Sequence, residues 1–223
     1  MLQKSTLQYL KNLKENNNKP WFEANRNKFE AAKEDWETLV KKILDKMASV
    51  DEDVANLTVK GCIFRQYRDV RFSKDKTPYK PHMGASIDRG GKKSGFAGYY
   101  FHLEPGGQSM VGGGLWAPEA GPIKKVRQEI DYCWDEFNNI ITNKKFVANF
   151  GDLGKGEYSL SREPKGYEKD NPAIDYLKLK SFIAARTIKD EELLQPDLLK
   201  KSVATFEALK PLIKFINRSL EEV

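Results

Sequence analysis

The stretch Phe96-Ala97-Gly98-Tyr99-Tyr100-Phe101-His102-Leu103-Glu104-Pro105-Gly106-Gly107-Gln108-Ser109-Met110-Val111 decides the fold class. Phe96 to Glu104 is dominated by aromatic residues, which suit a pleated, half-buried strand. Pro105-Gly106-Gly107-Gln108 supplies turn chemistry, and Ser109-Met110-Val111 returns as a second strand, so the stretch reads as a β-hairpin. Upstream, Ser86 to Asp88 and the apolar run Val59 to Phe64 are expected strands. Gly112-Gly113-Gly114 is expected to close the region as a turn or bulge, and Phe182 to Ile188 to add a further strand. Strands this close in sequence favour an antiparallel sheet.

Helical periodicity surrounds this centre. A first helix is expected from Ser5 or Thr6 as N-cap, with Leu7, Leu10 and Leu13 on one side. Asn16-Asn17-Asn18 ends it, and Pro20 suits the first turn of one long second helix. Phe22, Phe29, Trp36 and Ile43, with Val40 and Met47 between turns, make an apolar stripe along it. Pro118 and Pro122 announce a third helix through Ile123, Val126, Ile130, Trp134, Phe137 and Ile141. A polar, glycine-rich stretch follows from Gly151 to Asn171, then a short helix from Ala173 to Lys180. The last helix runs from Leu198 to Leu220, where Pro211 should kink or divide it. Helices flank the strands rather than alternate with them, so the expected class is α+β: a largely antiparallel central sheet flanked by helices, one domain over residues 1–223.

Composition agrees with a folded chain. Of 223 residues, 39% are hydrophobic, enough apolar area to exclude disorder. The net charge of +6 favours anionic partners without singling out nucleic acid. No run of 18 apolar residues occurs and the N-terminus has no signal pattern, which reads as a cytoplasmic protein without a membrane span. Cys62 and Cys133 are expected reduced, buried and inert. With His82 and His102 as the only histidines, no Cys or His cluster has zinc-ligand spacing.

The chemistry concentrates at Arg65-Gln66-Tyr67-Arg68-Asp69-Val70-Arg71-Phe72-Ser73-Lys74-Asp75-Lys76-Thr77-Pro78-Tyr79-Lys80, with six basic and two acidic side chains. Arginine offers a planar fork of donors that matches phosphate or carboxylate oxygens and keeps its charge when desolvated. If the chain stays extended to Phe72, Arg65, Tyr67, Asp69 and Arg71 share one face. Arg65, Arg68 and Arg71 would then clamp an anion, Asp69 would orient them, and Lys76 and Tyr79 would complete the shell. Should a reaction follow, Asp69, Asp75, Tyr79 or His82 would handle protons. Magnesium on Asp69 or Asp75 beside a phosphate is compatible with the residues and not required by them. Two other readings stand beside the anion site: an intramolecular ion-pair network that holds a loop, and a basic surface for nucleic acid or protein.

The pattern Arg65-x-x-Arg68-Asp69-x-Arg71-Phe72-x-x-Asp75-Lys76-x-x-Tyr79 resembles the signature of the DUF2461 family, a bacterial domain of unknown function. Trp21-Phe22-x-x-Asn25, Gly98-Tyr99-Tyr100, Gly112-Gly113-Gly114-x-Trp116 and Pro164-Lys165-Gly166-Tyr167 extend the resemblance over nearly the whole chain. It implies kinship and no particular activity or cofactor.

Weaker candidates remain. Gly112 to Gly114 ahead of a helix is a tight turn or, less simply, a phosphate cradle, and lacks the lysine of a P-loop. Ser161 to Tyr167 is a surface loop or a lid that brings Arg162, Lys165 or Tyr167 over the arginine segment. Trp116 either packs or walls a ligand pocket. His102, inside a strand, reads as a core histidine, and His82 as the better base.

Overall fold

The computed structural model describes residues 1–154 and 159–221. Four strands, β1 (Met83–Asp88), β2 (Gly98–Leu103), β3 (Ser109–Leu115) and β4 (Phe182–Ile188), form an antiparallel sheet in the order β1-β2-β3-β4. The register runs Met83 opposite Leu103, His102 opposite Met110, and Met110 opposite Thr187.

Period-two alternation sorts β2 into two faces. Tyr99, Phe101 and Leu103 are fully buried. The Phe101 ring meets Trp36 of α3 (Arg26–Val50) edge-on at 5.4 Å, and Tyr99 meets Phe206 of α10 (Leu198–Leu220) at 5.2 Å. These two long helices cover one face of the sheet. On the other face Tyr100, His102, Met110 and Ala185 stay partly exposed. Packing of α1 (Lys4–Glu15) on α3 completes the helical layer. The architecture is a single α+β domain, and among the described residues no helix is long and apolar enough to cross a membrane.

Several expectations need correction. Val59 to Phe64 is not a strand. Thr58 Oγ1 accepts the Gly61 amide at 3.2 Å and caps one helical turn, α4 (Val59–Cys62), after which Ile63 alone bridges to Ala85. The first helix begins at Lys4 with Gln3 as N-cap, where Asp35 accepts both the Gln3 amide at 2.8 Å and the Thr6 hydroxyl at 2.6 Å, so Thr6 lies inside the helix and does not cap it. The long second helix is two, α2 (Lys19–Ala24) and α3, separated at Asn25, whose side-chain amide donates to the Trp21 carbonyl at 2.9 Å. The third is likewise α5 (Ala120–Tyr132) and α6 (Trp134–Ile141), joined at Cys133, which is partly exposed rather than buried. An unforeseen α7 (Lys144–Phe150) follows. The short helix α8 covers only Ile174–Leu177, and α9 (Asp190–Leu193) precedes α10. Pro211 does not divide α10.

Gly112, Gly113 and Gly114 form no turn. They lie in β3, where a Cβ on Gly113 would fall on the Gly98 carbonyl oxygen and one on Gly114 on that of Phe182. Their amides belong to the ladder, which removes the phosphate cradle.

Candidate site at the base of the arginine arm

The arginine segment does not stay extended to Phe72. It folds back on itself as an irregular two-legged arm at the free edge of β1. Phe64 N donates to the Gly84 carbonyl at 3.0 Å, Arg68 N to Pro78 at 2.9 Å and Lys80 N to Gln66 at 2.8 Å, and Tyr67 bridges Tyr79. Its anchor is Tyr79, 2% exposed, stacked on Phe22 of α2 with ring centroids 4.0 Å apart. Asn17 holds the Tyr79 backbone from both sides, donating to its carbonyl at 2.8 Å and accepting its amide at 3.1 Å. Tyr79 is thus a packing residue, buried away from any ligand in solvent.

Most charges of the arm are spent within it. Arg68 donates to Asp75 and Thr77, and Asp75 accepts the Thr77 amide at 2.9 Å. That amide and the Arg68 guanidinium hold the Asp75 carboxyl down at about 2. Arg71 grips Asp69 through Nε at 3.0 Å and Nη2 at 2.7 Å, which lowers the Asp69 pKa. Lys76 Nζ donates to the Val70 carbonyl at 2.9 Å. Asp69 orients an arginine as expected, but Arg68 and Arg71 point to partners inside the arm. Phe72, 96% exposed, marks the tip.

Near the base the balance differs. Lys80 Nζ lies 5.4 Å and Lys92 Nζ 5.9 Å from the Phe64 ring centroid. Lys92 donates to the carbonyls of Ile63 at 2.6 Å and Lys60 at 3.0 Å. Burial, with Arg65 nearby, lowers the Lys80 pKa. Among the described residues none of Arg65, Lys80 and Lys92 forms an ion pair with a carboxylate. Sequence reading counted Lys80 among the basic residues of the segment without giving it a role and missed Lys92, because only the fold brings both to one aromatic ring.

The second cluster at the base was also missed. His82 ends the arm, and its ring lies 4.4 Å from that of His102. Glu104 Oε2 is 3.1 Å from His102 Nε2 and 3.9 Å from His82 Nδ1. Tyr100 Oη reaches His102 Nδ1 at 3.2 Å, and Lys14 donates to Glu104 Oε1 at 2.9 Å. Burial and the neighbouring His102 push His82 down to about 4. Burial alone would raise Glu104, but its hydrogen bonds from Lys14 and His102 outweigh that and lower it. His102 belongs to the open face of the sheet and not to the core.

The remaining candidates lie elsewhere. β3 runs from Ser109 past Met110, opposite His102, to Leu115, so Trp116 sits at the other end of the sheet and is 61% exposed. The loop with Arg162, Lys165 and Tyr167 is tied to that same end: Ser159 bridges Leu179, and Ala117 N donates to Ser181 at 2.9 Å. It does not close over the arm. Part of the glycine-rich stretch lies outside the described residues. A groove of about 610 Å³ beside α6 and α10, lined by Glu136, Asn139, Lys145 and Glu207, gathers no comparable cluster.

A family model described as "Conserved hypothetical protein (DUF2461)" matches residues 5–215. The chain belongs to the DUF2461 family. Comparison with curated proteins and with solved structures finds no match. The signature of this DUF2461 protein therefore gains a physical reading here: Arg68, Asp69, Arg71, Asp75 and Lys76 shape the arm, and Phe22 with Tyr79 fastens it to α2.

Proposed function

We propose that the protein binds a small anionic molecule, phosphorylated or carboxylated, at the base of the arm, with Arg65, Lys80 and Lys92 as its cationic contacts. A cytoplasmic setting goes with this reading. The observation that carries it is the convergence of Lys80 and Lys92 on Phe64 beside Arg65, with none of the three in a direct ion pair among the described residues and only Arg65 sensing a carboxylate, that of Asp69. Like charges held together are costly unless an anion relieves them. The residues expected at first, Arg68, Asp69, Arg71, Asp75 and Lys76, serve this reading by shaping the arm, and His82 borders the site. An enzymatic role is compatible, since His82 and Glu104 stand beside the bound anion as proton-handling groups.

A second reading rests on the tip. Phe72 is almost fully exposed, and the Arg71 guanidinium lies 5.8 Å from its ring, an aromatic and a cation on one protrusion. Single-stranded nucleic acid is bound by such stacking surfaces, with strong salt dependence.

A thermal-shift screen separates the two. Nucleotides, sugar phosphates, dicarboxylates and short oligonucleotides are tested at low and high salt. A small anion at 100 times its dissociation constant adds about 2.7 kcal/mol, or roughly 5–10 °C at this chain length. The base reading expects that shift from a small anion at both salts, lost in Lys80→Met. Shifts from oligonucleotides alone, abolished by salt and by Phe72→Ala, would assign the function to the tip. The absence of any shift would overturn both.

A further inference from the structure

We infer that His82, His102 and Glu104 form a binding site for one divalent transition-metal ion. The inference stands apart from the anion reading and rests on strand geometry. His102 lies in β2 and Glu104 directly follows its last residue, Leu103, so the two are two residues apart and their side chains meet. The last registered pair, Met83 with Leu103, brings the residues just beyond it, His82 and Glu104, to the same end of the two strands. Two imidazoles and one carboxylate thereby converge, with one ligand atom from each within 4.8 Å of the others.

The separations suit a metal. Ligand bonds of roughly 2.0–2.2 Å put adjacent donor atoms roughly 3–3.5 Å apart. His102 Nε2 and Glu104 Oε2 are at 3.1 Å, while His82 Nδ1 is 3.9 Å from Oε2 and would have to draw in on metal binding. Two imidazoles with one carboxylate favour zinc, iron(II), cobalt(II) or manganese(II) over magnesium or calcium, which take oxygen donors. Three protein ligands leave coordination positions for water or substrate, the pattern of catalytic rather than structural sites.

The surroundings orient each donor. Tyr100 Oη at His102 Nδ1 leaves Nε2 facing Glu104, and in the metal-bound form Nδ1–H donates to the tyrosine oxygen. Lys14 occupies Glu104 Oε1 and leaves Oε2 for the metal. Ser109 Oγ accepts the Glu104 amide at 2.9 Å, and Gln66 Nε2 donates to the His82 carbonyl at 3.3 Å, so both backbones are pinned. Arg68 and Lys80 lie near His82 and oppose a bare dication, so affinity is expected below that of closed structural zinc sites.

The chain has only two histidines, which makes the wild type its own reporter. The tag-free, chelator-stripped full chain is titrated with Zn²⁺ while long-range ¹H–¹⁵N spectra follow both imidazoles. Both should move together and saturate at one equivalent, with His102 metallated at Nε2 and protonated at Nδ1. Glu104→Gln and Tyr100→Phe keep both reporters, and each should weaken Zn²⁺ binding about tenfold or more. Imidazole signals that ignore Zn²⁺, or a response from one histidine alone, would overturn the site and leave a hydrogen-bonded His–Glu–Lys network. Unaltered affinity in Glu104→Gln would overturn the assignment of the carboxylate.

Discussion

Asp88, at the end of β1, is buried and accepts a hydrogen bond from Ser86 Oγ at 2.9 Å, with no ion pair among the described residues. Burial pushes its carboxyl up to about 6. The native state then holds this proton more tightly than the unfolded chain, so this contribution to stability is present at acid pH and is lost as pH rises from about 4 through about 6. Asp88→Asn keeps the shape and removes the charge. It should stabilise the protein at pH 7 by on the order of 2 kcal/mol and have little effect near pH 4, as checked by melting curves across that range. An equal effect at both values would mean the carboxylate is not strained by burial. At this same scale, sequence reading found the arm but not its wiring. Residue types alone placed Asp69 to orient an arginine, and Arg71 two residues on is that partner, whereas the Asp75 and Thr77 partners of Arg68 depend on the fold-back. His102 was read as a core histidine and Glu104 was given no role, because their meeting with His82 depends on which strands pair and where they end.

The elements were the most legible part. The strand read at Phe182 to Ile188 and the helix at Leu198 to Leu220 have those bounds in the structure, because a short apolar run and a sustained 3.6-residue periodicity leave little freedom there. Val59 to Phe64 misled because its β-branched and aromatic residues suit a strand, while a single cap at Thr58 turned it into a helical turn. The glycine triplet misled differently. Gly-rich sequence signals a turn, yet here β2 and β4 press so close to β3 that side chains are excluded. Gly113→Ala should therefore cost about 3 kcal/mol, since the atoms it meets are backbone and cannot turn aside. Gly121→Ala, with open space around it in α5, should change stability by less than about 1 kcal/mol. Denaturant melts of the two variants check the pair, and equal effects would contradict the close approach.

Across the whole molecule, a sheet covered on one face by α3 and α10 leaves the other to carry Tyr100 and His102, and the arm delivers His82 and Lys80 to its edge. A buried network ties the two layers: Asp51, after α3, accepts from Tyr99 of β2 at 2.6 Å and pairs with Lys214 of α10 at 2.9 Å. The α+β class was visible in the order of strands and helices, and family kinship in the arm's signature. The convergence of Arg65, Lys80 and Lys92 was not, since residues distant along the chain meet only in three dimensions. An anion site at the base of the arm requires that convergence. The measurement that tests it most directly is the affinity, by calorimetry, of the anion selected in the thermal screen for wild type, Arg65→Ala, Lys80→Met and Arg71→Ala. A lost charged contact costs about 1.5–3 kcal/mol, so Arg65→Ala and Lys80→Met should each bind about tenfold or more weakly, and Arg71→Ala within about twofold of wild type. Equal affinity in all four proteins, or a loss confined to Arg71→Ala, would contradict a site at the base of the arm.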